Sequence, residues 1–212
     1  MDKYLSKKNN CLILDSNQES WPKNSSLYYM GYWCLEKIES SFKNRDKFEV
    51  VNSAGKESLA INNQMNEIFQ VYNILILDLS NYLNKFHKKN YSKKFWEIVI
   101  GPWLKIFLGI VSERYHGLND AFSKFDINQI ILADYEHEDF FVENVGDLEE
   151  KASKNLNGFN NILYTKIFEI LNFNCQNIKI KGKNEKEKNL KKKISLKKKF
   201  INSLSIFNLF SK

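Results

Sequence analysis

Arginine is nearly absent from this chain: among 212 residues there are 30 lysines but only Arg45 and Arg114. Proline is as scarce, at Pro22 and Pro102, and glycine numbers eight. That excludes Pro-rich spacers and Gly-rich flexible linkers. The three cysteines, Cys11, Cys34 and Cys175, are odd in number and show no Cys-x-x-Cys or Cys/His ligand spacing. Reduced thiols are therefore expected, not a disulfide framework or a structural zinc site. No GxGxxG, P-loop, GxSxG or HExxH pattern occurs. The apolar run after Asn10 is four residues long, too short for the core of a signal peptide. Residues 95–111 form the most apolar stretch, but Glu97, Lys105 and Gly101-Pro102 interrupt it. It falls short of the ~18–20 uninterrupted residues a membrane span needs. A soluble cytoplasmic protein is the expectation.

What the chain has in abundance is lysine, and it is unevenly placed. Residues 179–212 carry 12 lysines against Glu185 and Glu187, a net of +10 within a chain total of +7, which leaves residues 1–178 at −3. The pI near 9.1 thus belongs to the tail. Overall basicity gives no reason to expect nucleic-acid binding by the body, and no nucleic-acid partner is expected. The expected organisation is an α/β domain over residues 1–178, a Lys-rich linker or tail over 179–199, and a short amphipathic end over 200–212. That tail fits peripheral contact with an anionic inner membrane, or serves as a solvated linker.

The pattern along the chain alternates strands with longer helices, which points to a helix-rich α/β fold. Cys11 to Asp15 and Leu27 to Trp33 read as strands, followed by a short helix ending near Phe42 and a polar stretch over residues 44–56. Met65, Ile68, Phe69, Tyr72, Ile76, Leu79, Leu83 and Phe86 recur at three- and four-residue spacing and predict an amphipathic helix. Ser92 is placed to cap the next helix, in which Pro102 predicts a kink or break near residues 98–101. Residues 127–133 predict a strand, residues 134–139 an acidic loop, residues 147–173 a return to helix, and residues 178–199 low-complexity basic chain.

Candidate chemistry gathers in residues 83–115, which hold Trp96, Trp103, Pro102 and Arg114. A guanidinium offers a planar fork for carboxylate or phosphate, so Arg114 is a candidate anion clamp, the alternative being an internal pair with Glu113 or Asp120. His87, Tyr91 and Ser92 sit at a helix junction among Lys88, Lys89, Lys93 and Lys94. They could present an anion site with His87 as the acid/base, or they form a solvated turn. Trp96 and Trp103 either fill a core or shape a substrate pocket. The loop Asp134-Tyr-Glu-His-Glu-Asp139 has the composition for a hard cation, but solvated acidic loops are the commoner outcome, and no metal ligand is assigned.

Glu19-x-Trp21-Pro22, Gly31-x-Trp33-Cys34, Leu83-Asn84-x-x-His87, Tyr91-Ser92-x-x-x-Trp96, Gly101-Pro102-Trp103-Leu104 and Arg114 occur in that order. This series resembles a family of transferases encoded in bacterial surface-carbohydrate (O-antigen) gene clusters. The resemblance spans residues 1–173, including Asn160-Asn161. Tyr32 stands where the family carries an acid, and Glu113 where it carries Asp. Family members are several hundred residues longer, so the resemblance implies the N-terminal half of a two-domain, Rossmann-like glycosyltransferase architecture. It implies sugar transfer with a nucleotide-sugar donor. Under it, His87 is the catalytic candidate, and Arg114, Tyr91, Ser92, Trp96, Trp103 and Glu19 are the substrate-binding candidates. The competing expectation is a non-catalytic accessory module that binds a partner.

Overall fold

The computed structural model describes residues 9–35, 38, 48–51, 58–135, 140–154 and 158–182. The expected helix ending near Phe42, most of the polar stretch over residues 44–56, residues 136–139 of the acidic loop and the tail from residue 183 lie outside the described residues.

Five strands form one parallel sheet: β1 (Asn9–Ile13), β2 (Ser25–Tyr29), β3 (Glu49–Val50), β4 (Gln129–Asp134) and β5 (Gln176–Lys181). Their order is β3-β2-β1-β4-β5, so the chain works outward from β1 to one edge and then crosses back to build the other. β1 pairs on both sides, Leu12 with Tyr28 and with Ile130. Cys11, Leu12 and Ile13 are buried on both faces, as expected for a central parallel strand. Residues 27–33 give a shorter strand than expected, because the chain turns at Gly31 into a 3-10 helix over Tyr32–Leu35. β5 lies in what reads as low-complexity basic chain. Ile178 and Ile180 turn inward while Asn177, Lys179 and Lys181 stay exposed, and that period-two alternation makes an edge strand guarded by lysine.

Two long helices, α1 (Ser58–His87) and α2 (Lys93–Lys124), pack as an antiparallel hairpin. Ser92 caps α2, its hydroxyl accepting from the Phe95 amide at 3.2 Å. α2 runs unbroken through Pro102. Pro102 removes the donor for the Ile98 carbonyl, but both residues face solvent, where water supplies the replacement. The predicted single helix over residues 147–173 is two helices, α3 (Val145–Lys154) and α4 (Phe159–Leu171). Gly158, at φ +72°, adopts a left-handed conformation that helical residues avoid.

The apolar interior has two centres. The first surrounds the sheet and takes Leu118 and Ala121 from α2 with Tyr164, Ile167 and Phe168 from α4. The second lies inside the hairpin and takes Tyr72, Ile76 and Leu79 from α1, Leu104, Leu108 and Val111 from α2, and Phe159 and Leu163 from α4. α2 enters β4 at the amino ends of the strands, so it runs antiparallel to them. At 1.5 Å per residue it spans about 48 Å, against about 20 Å for a six-residue strand. The hairpin therefore projects past the carboxyl ends of the sheet.

Candidate functional site

In an open parallel sheet, ligands bind outside the carboxyl ends of the strands where the winding direction reverses. Here that point lies between β1 and β4. The loop leaving β1 carries Asp15, which is buried and accepts from the Asn17 amide at 2.9 Å. The turn after β2 places Trp33 across the same end, its indole donating to the Leu14 carbonyl at 3.1 Å. Tyr135, just after β4, lies against Gly158, where a Cβ would overlap the ring. α4 leads into β5 from the amino edge, so its first turn also sits at the carboxyl edge. Trp33 stacks on Tyr164, centroids 6.4 Å apart, and ties α4 to the β2 loop.

Below this rim lies Arg114, only 5% exposed, between the two apolar centres. Its Nε donates to Asn160 Oδ1 at 3.1 Å and its Nη2 to the Ala152 carbonyl at 3.1 Å, and Nη1 lies 2.9 Å from Glu113. The guanidinium also covers the Trp33 ring at 5.0 Å. Asn160 Nδ2 donates to the same Ala152 carbonyl at 2.7 Å, the last turn of α3. Arg114 thus joins α2, α3, α4 and the β2 loop.

Asn161 is different. It is 1% exposed in the first turn of α4, yet neither atom of its carboxamide has a hydrogen-bond partner among the described residues. Thr165 Oγ1, one turn further on the same side, is also buried and unpartnered. Leaving such groups unpaired costs about 1–3 kcal/mol each, and polar groups retained at that cost concentrate where a ligand completes them. The free backbone amides of a helix's first turn add an electropositive bias.

The two buried thiols are held in their protonated form. Burial pushes the Cys34 thiol from its ordinary 9.0 up to about 12, with Asp15 adding to the shift and hydrogen bonds at Gly31 and Met30 opposing it. Cys11 rises to about 12, again chiefly through burial. Burial also raises the Tyr164 phenol, with Arg114 pulling the other way. A shallow depression of about 520 Å³ lies at the opposite, amino edge of the sheet, but its Asp120 is already paired with Lys124 at 2.7 Å.

The residues predicted from sequence do not converge on one place. His87, Tyr91, Ser92 and Trp96 meet at the end of the helical hairpin. Asn84 clasps that turn, accepting from the Trp96 indole at 3.0 Å and the Tyr91 amide at 2.9 Å and donating to the Tyr91 carbonyl at 2.8 Å. His87 stacks over Trp96 at 6.0 Å. Trp103 lies on the hairpin's flank, stacked on Phe107 at 5.1 Å. Glu19 is exposed on the 3-10 turn after β1, and Arg114 lies beneath the rim. Ser92 and Arg114 are 22 residues apart on one helix, about 33 Å, so the two groups do not share a site. Sequence reasoning gave no functional role to Asp15 or Asn161, though it placed Asp15 at a strand end and Asn160-Asn161 within the family resemblance, and it did not single out Thr165 or Tyr164. An acid closing the apolar run Cys-Leu-Ile-Leu-Asp, and an Asn pair opening an apolar helix, were the available signals.

A family model described as LIC12162 family transferase matches residues 10–211 of this chain. No curated protein and no solved structure matches it.

Proposed function

Because the chain belongs to the LIC12162 family of transferases, we propose that it contributes to glycosyl transfer in bacterial surface-polysaccharide or O-antigen synthesis, acting in the cytoplasm as the N-terminal part of a two-domain enzyme. The crevice between β1 and β4 takes a sugar-bearing substrate, and a nucleotide sugar is the donor. The observation that carries this reading is the carboxamide of Asn161, without a partner among the described residues and buried in the first turn of α4 at the carboxyl edge of the sheet. A carboxamide offers a donor and an acceptor together, which suits the adjacent hydroxyls of a sugar. The α4 amides favour an anionic neighbour such as a phosphate or uronate. Trp33, held from below by Arg114, supplies a rigid aromatic wall. Arg114 acts as a positioning residue, since its donors are directed into the protein.

The test is Asn161→Leu, introduced into the strain that encodes the protein and into purified chain. Loss of surface glycan, together with loss of the thermal shift given by a nucleotide-sugar panel and unchanged or raised stability of the ligand-free protein, supports the reading. Full glycan display from a folded Asn161→Leu protein overturns it.

A further inference from the structure

The end of the α1–α2 hairpin has no role in the crevice, yet it exposes large apolar side chains, as α1 also does at Met65, Phe69, Ile74 and Leu77. Phe86 is 55% exposed, Ile98 68% and Val99 54%, with Tyr91 and Phe95 also exposed beside them. On α2, Phe95, Ile98, Val99 and Pro102 lie on the side opposite Leu104, Leu108 and Val111, so they form a second apolar face that the core does not use. Monomeric soluble surfaces rarely gather large apolar side chains in this way.

The charges around the turn are predominantly positive. Lys85, Lys88, Lys89, Lys93 and Lys94 ring the turn, and residues 79–96 contain no acidic residue. Glu97 alone answers them, at 3.2 Å from Lys93 and 3.7 Å from Lys94. Beneath the ring, Trp96 is fixed by Asn84 and flanked by Tyr91, Phe95 and His87. The hairpin end therefore carries lysines at its turn, with exposed apolar side chains beside and just behind them on the first turns of α2.

From this arrangement we propose that the hairpin end is a membrane-docking element that inserts Phe86, Tyr91, Phe95, Ile98 and Val99 among the lipids of an anionic bilayer while its lysines engage the headgroups. The fit is chemical on both counts. Because Lys88, Lys89, Lys93 and Lys94 lie nearer the hairpin end than Ile98 and Val99, the hairpin meets the interface on its flank, with the exposed apolar face of α2 towards the acyl region. Lysine stems reach the headgroup level while apolar neighbours enter the acyl region, and Tyr and Trp suit the boundary between them. A second copy of the chain is a poor occupant, because tip-to-tip contact would oppose two lysine rings. Nucleic acid would answer the lysines but leave Ile98 and Val99 in water.

By length and composition α2 could cross a bilayer, with an 18-residue window of mean hydropathy 1.5. However, 39% of that window is buried inside the fold, and Arg114 anchors the same helix to α3 and α4. The docking is therefore peripheral.

Co-sedimentation of the full-length chain with vesicles tests this. Binding is expected to phosphatidylcholine vesicles containing about a quarter phosphatidylglycerol, weakening as salt is raised, and to be far weaker with phosphatidylcholine alone. The double variant Ile98→Asp, Val99→Asp alters exposed positions only and is expected to lower partitioning about tenfold or more with an unchanged thermal melt. Lys88→Gln with Lys89→Gln is expected to weaken binding to anionic vesicles alone. A full-length tail variant, with Lys191, Lys192, Lys193, Lys197, Lys198 and Lys199 changed to Gln, is expected to retain the Ile98/Val99 dependence. Wild-type binding by the Ile98/Val99 variant overturns the proposal. So does vesicle binding that disappears only in the tail variant, or a dimer in sedimentation that the Asp variant dissolves without any vesicle binding.

Discussion

Arg114 on α2 donates from Nε to the side-chain oxygen of Asn160 on α4, 3.1 Å away and 46 residues along the chain, and both residues donate to the carbonyl of Ala152. One planar cation therefore closes three helices over the boundary between the two apolar centres. Removing it takes the Nε donor from the Asn160 side-chain oxygen and one of two donors from the Ala152 carbonyl. Arg114→Met is expected to cost about 3 kcal/mol in urea unfolding, and Arg114→Lys somewhat less, because ammonium cannot reproduce the fork. In a double-mutant cycle with Asn160→Ala, a coupling of about 1 kcal/mol or more is expected. Additive single effects would show that the pair does not act as a unit.

One side chain holds the hairpin turn at three points. Asn84 serves the Trp96 indole and both backbone groups of Tyr91. Asn84→Ala should lower stability by about 2 kcal/mol, and hydrogen exchange should show early loss of protection at the Tyr91 amide. Asn84→Asp keeps the acceptor but not the donor, so its expected cost is smaller.

Gly101 has no side chain because Tyr72 occupies the space. A Cβ there would stand 2.6 Å from the Tyr72 hydroxyl oxygen but 3.7 Å from the next ring atom. Gly101→Ala alone is expected to destabilise by about 1–3 kcal/mol. Combined with Tyr72→Phe the clash disappears and alanine's helical preference remains, worth about 1 kcal/mol over glycine. Thermal denaturation should therefore rank the double variant above Tyr72→Phe alone.

Cys34 makes the fold sensitive to alkali. Its folded pKa of about 12 lies above the ordinary 9.0, so between those values the unfolded chain loses a proton that the folded chain keeps. Its contribution is complete below pH ~9 and is lost as pH rises towards ~12, at up to about 1.4 kcal/mol per pH unit. Cys11 acts in the same direction. Cys34→Ala is expected to flatten the decline of the urea midpoint above pH ~9. At neutral pH neither Cys11 nor Cys34 should react with a thiol reagent until the protein unfolds.

How much of this was legible in the sequence depends on how far each interaction reaches. The stripes of α1 and α2 and the Ser92 cap are set within a few residues of themselves, and the sequence shows them. The strands at β1 and β4 are apolar runs and were equally visible. The scarcity of arginine marked Arg114, but its partners lie 38 and 46 residues away, and spacing alone does not reveal them. The gathering of His87, Tyr91 and Ser92 is local in the chain and shows in the sequence, whereas Trp96 joins them through Asn84. The distance of this group from Arg114 follows from the length of a helix expected to break at Pro102. Asn161 is conspicuous only once burial and the absence of partners are known. β5 was hidden by lysines that protect its outer edge, since four alternating residues are too few to stand out against a basic tail.

The position of β1 has a kinetic consequence. The strand at the middle of the sheet is the first to be made, but one of its two neighbours, β4, pairs Cys11 with Gln129 and arrives more than a hundred residues later. Closing that loop costs more entropy than closing the hairpin turn, where Asn84 meets Tyr91 across seven residues. The α1–α2 hairpin is therefore expected to form first, while one side of β1 waits as an unpaired apolar edge open to other nascent chains. Pulsed hydrogen exchange during refolding should find the α1 and α2 amides protected before those of Leu12 and Ile130. The reverse order would mean that the sheet, despite its long-range closure, nucleates the domain.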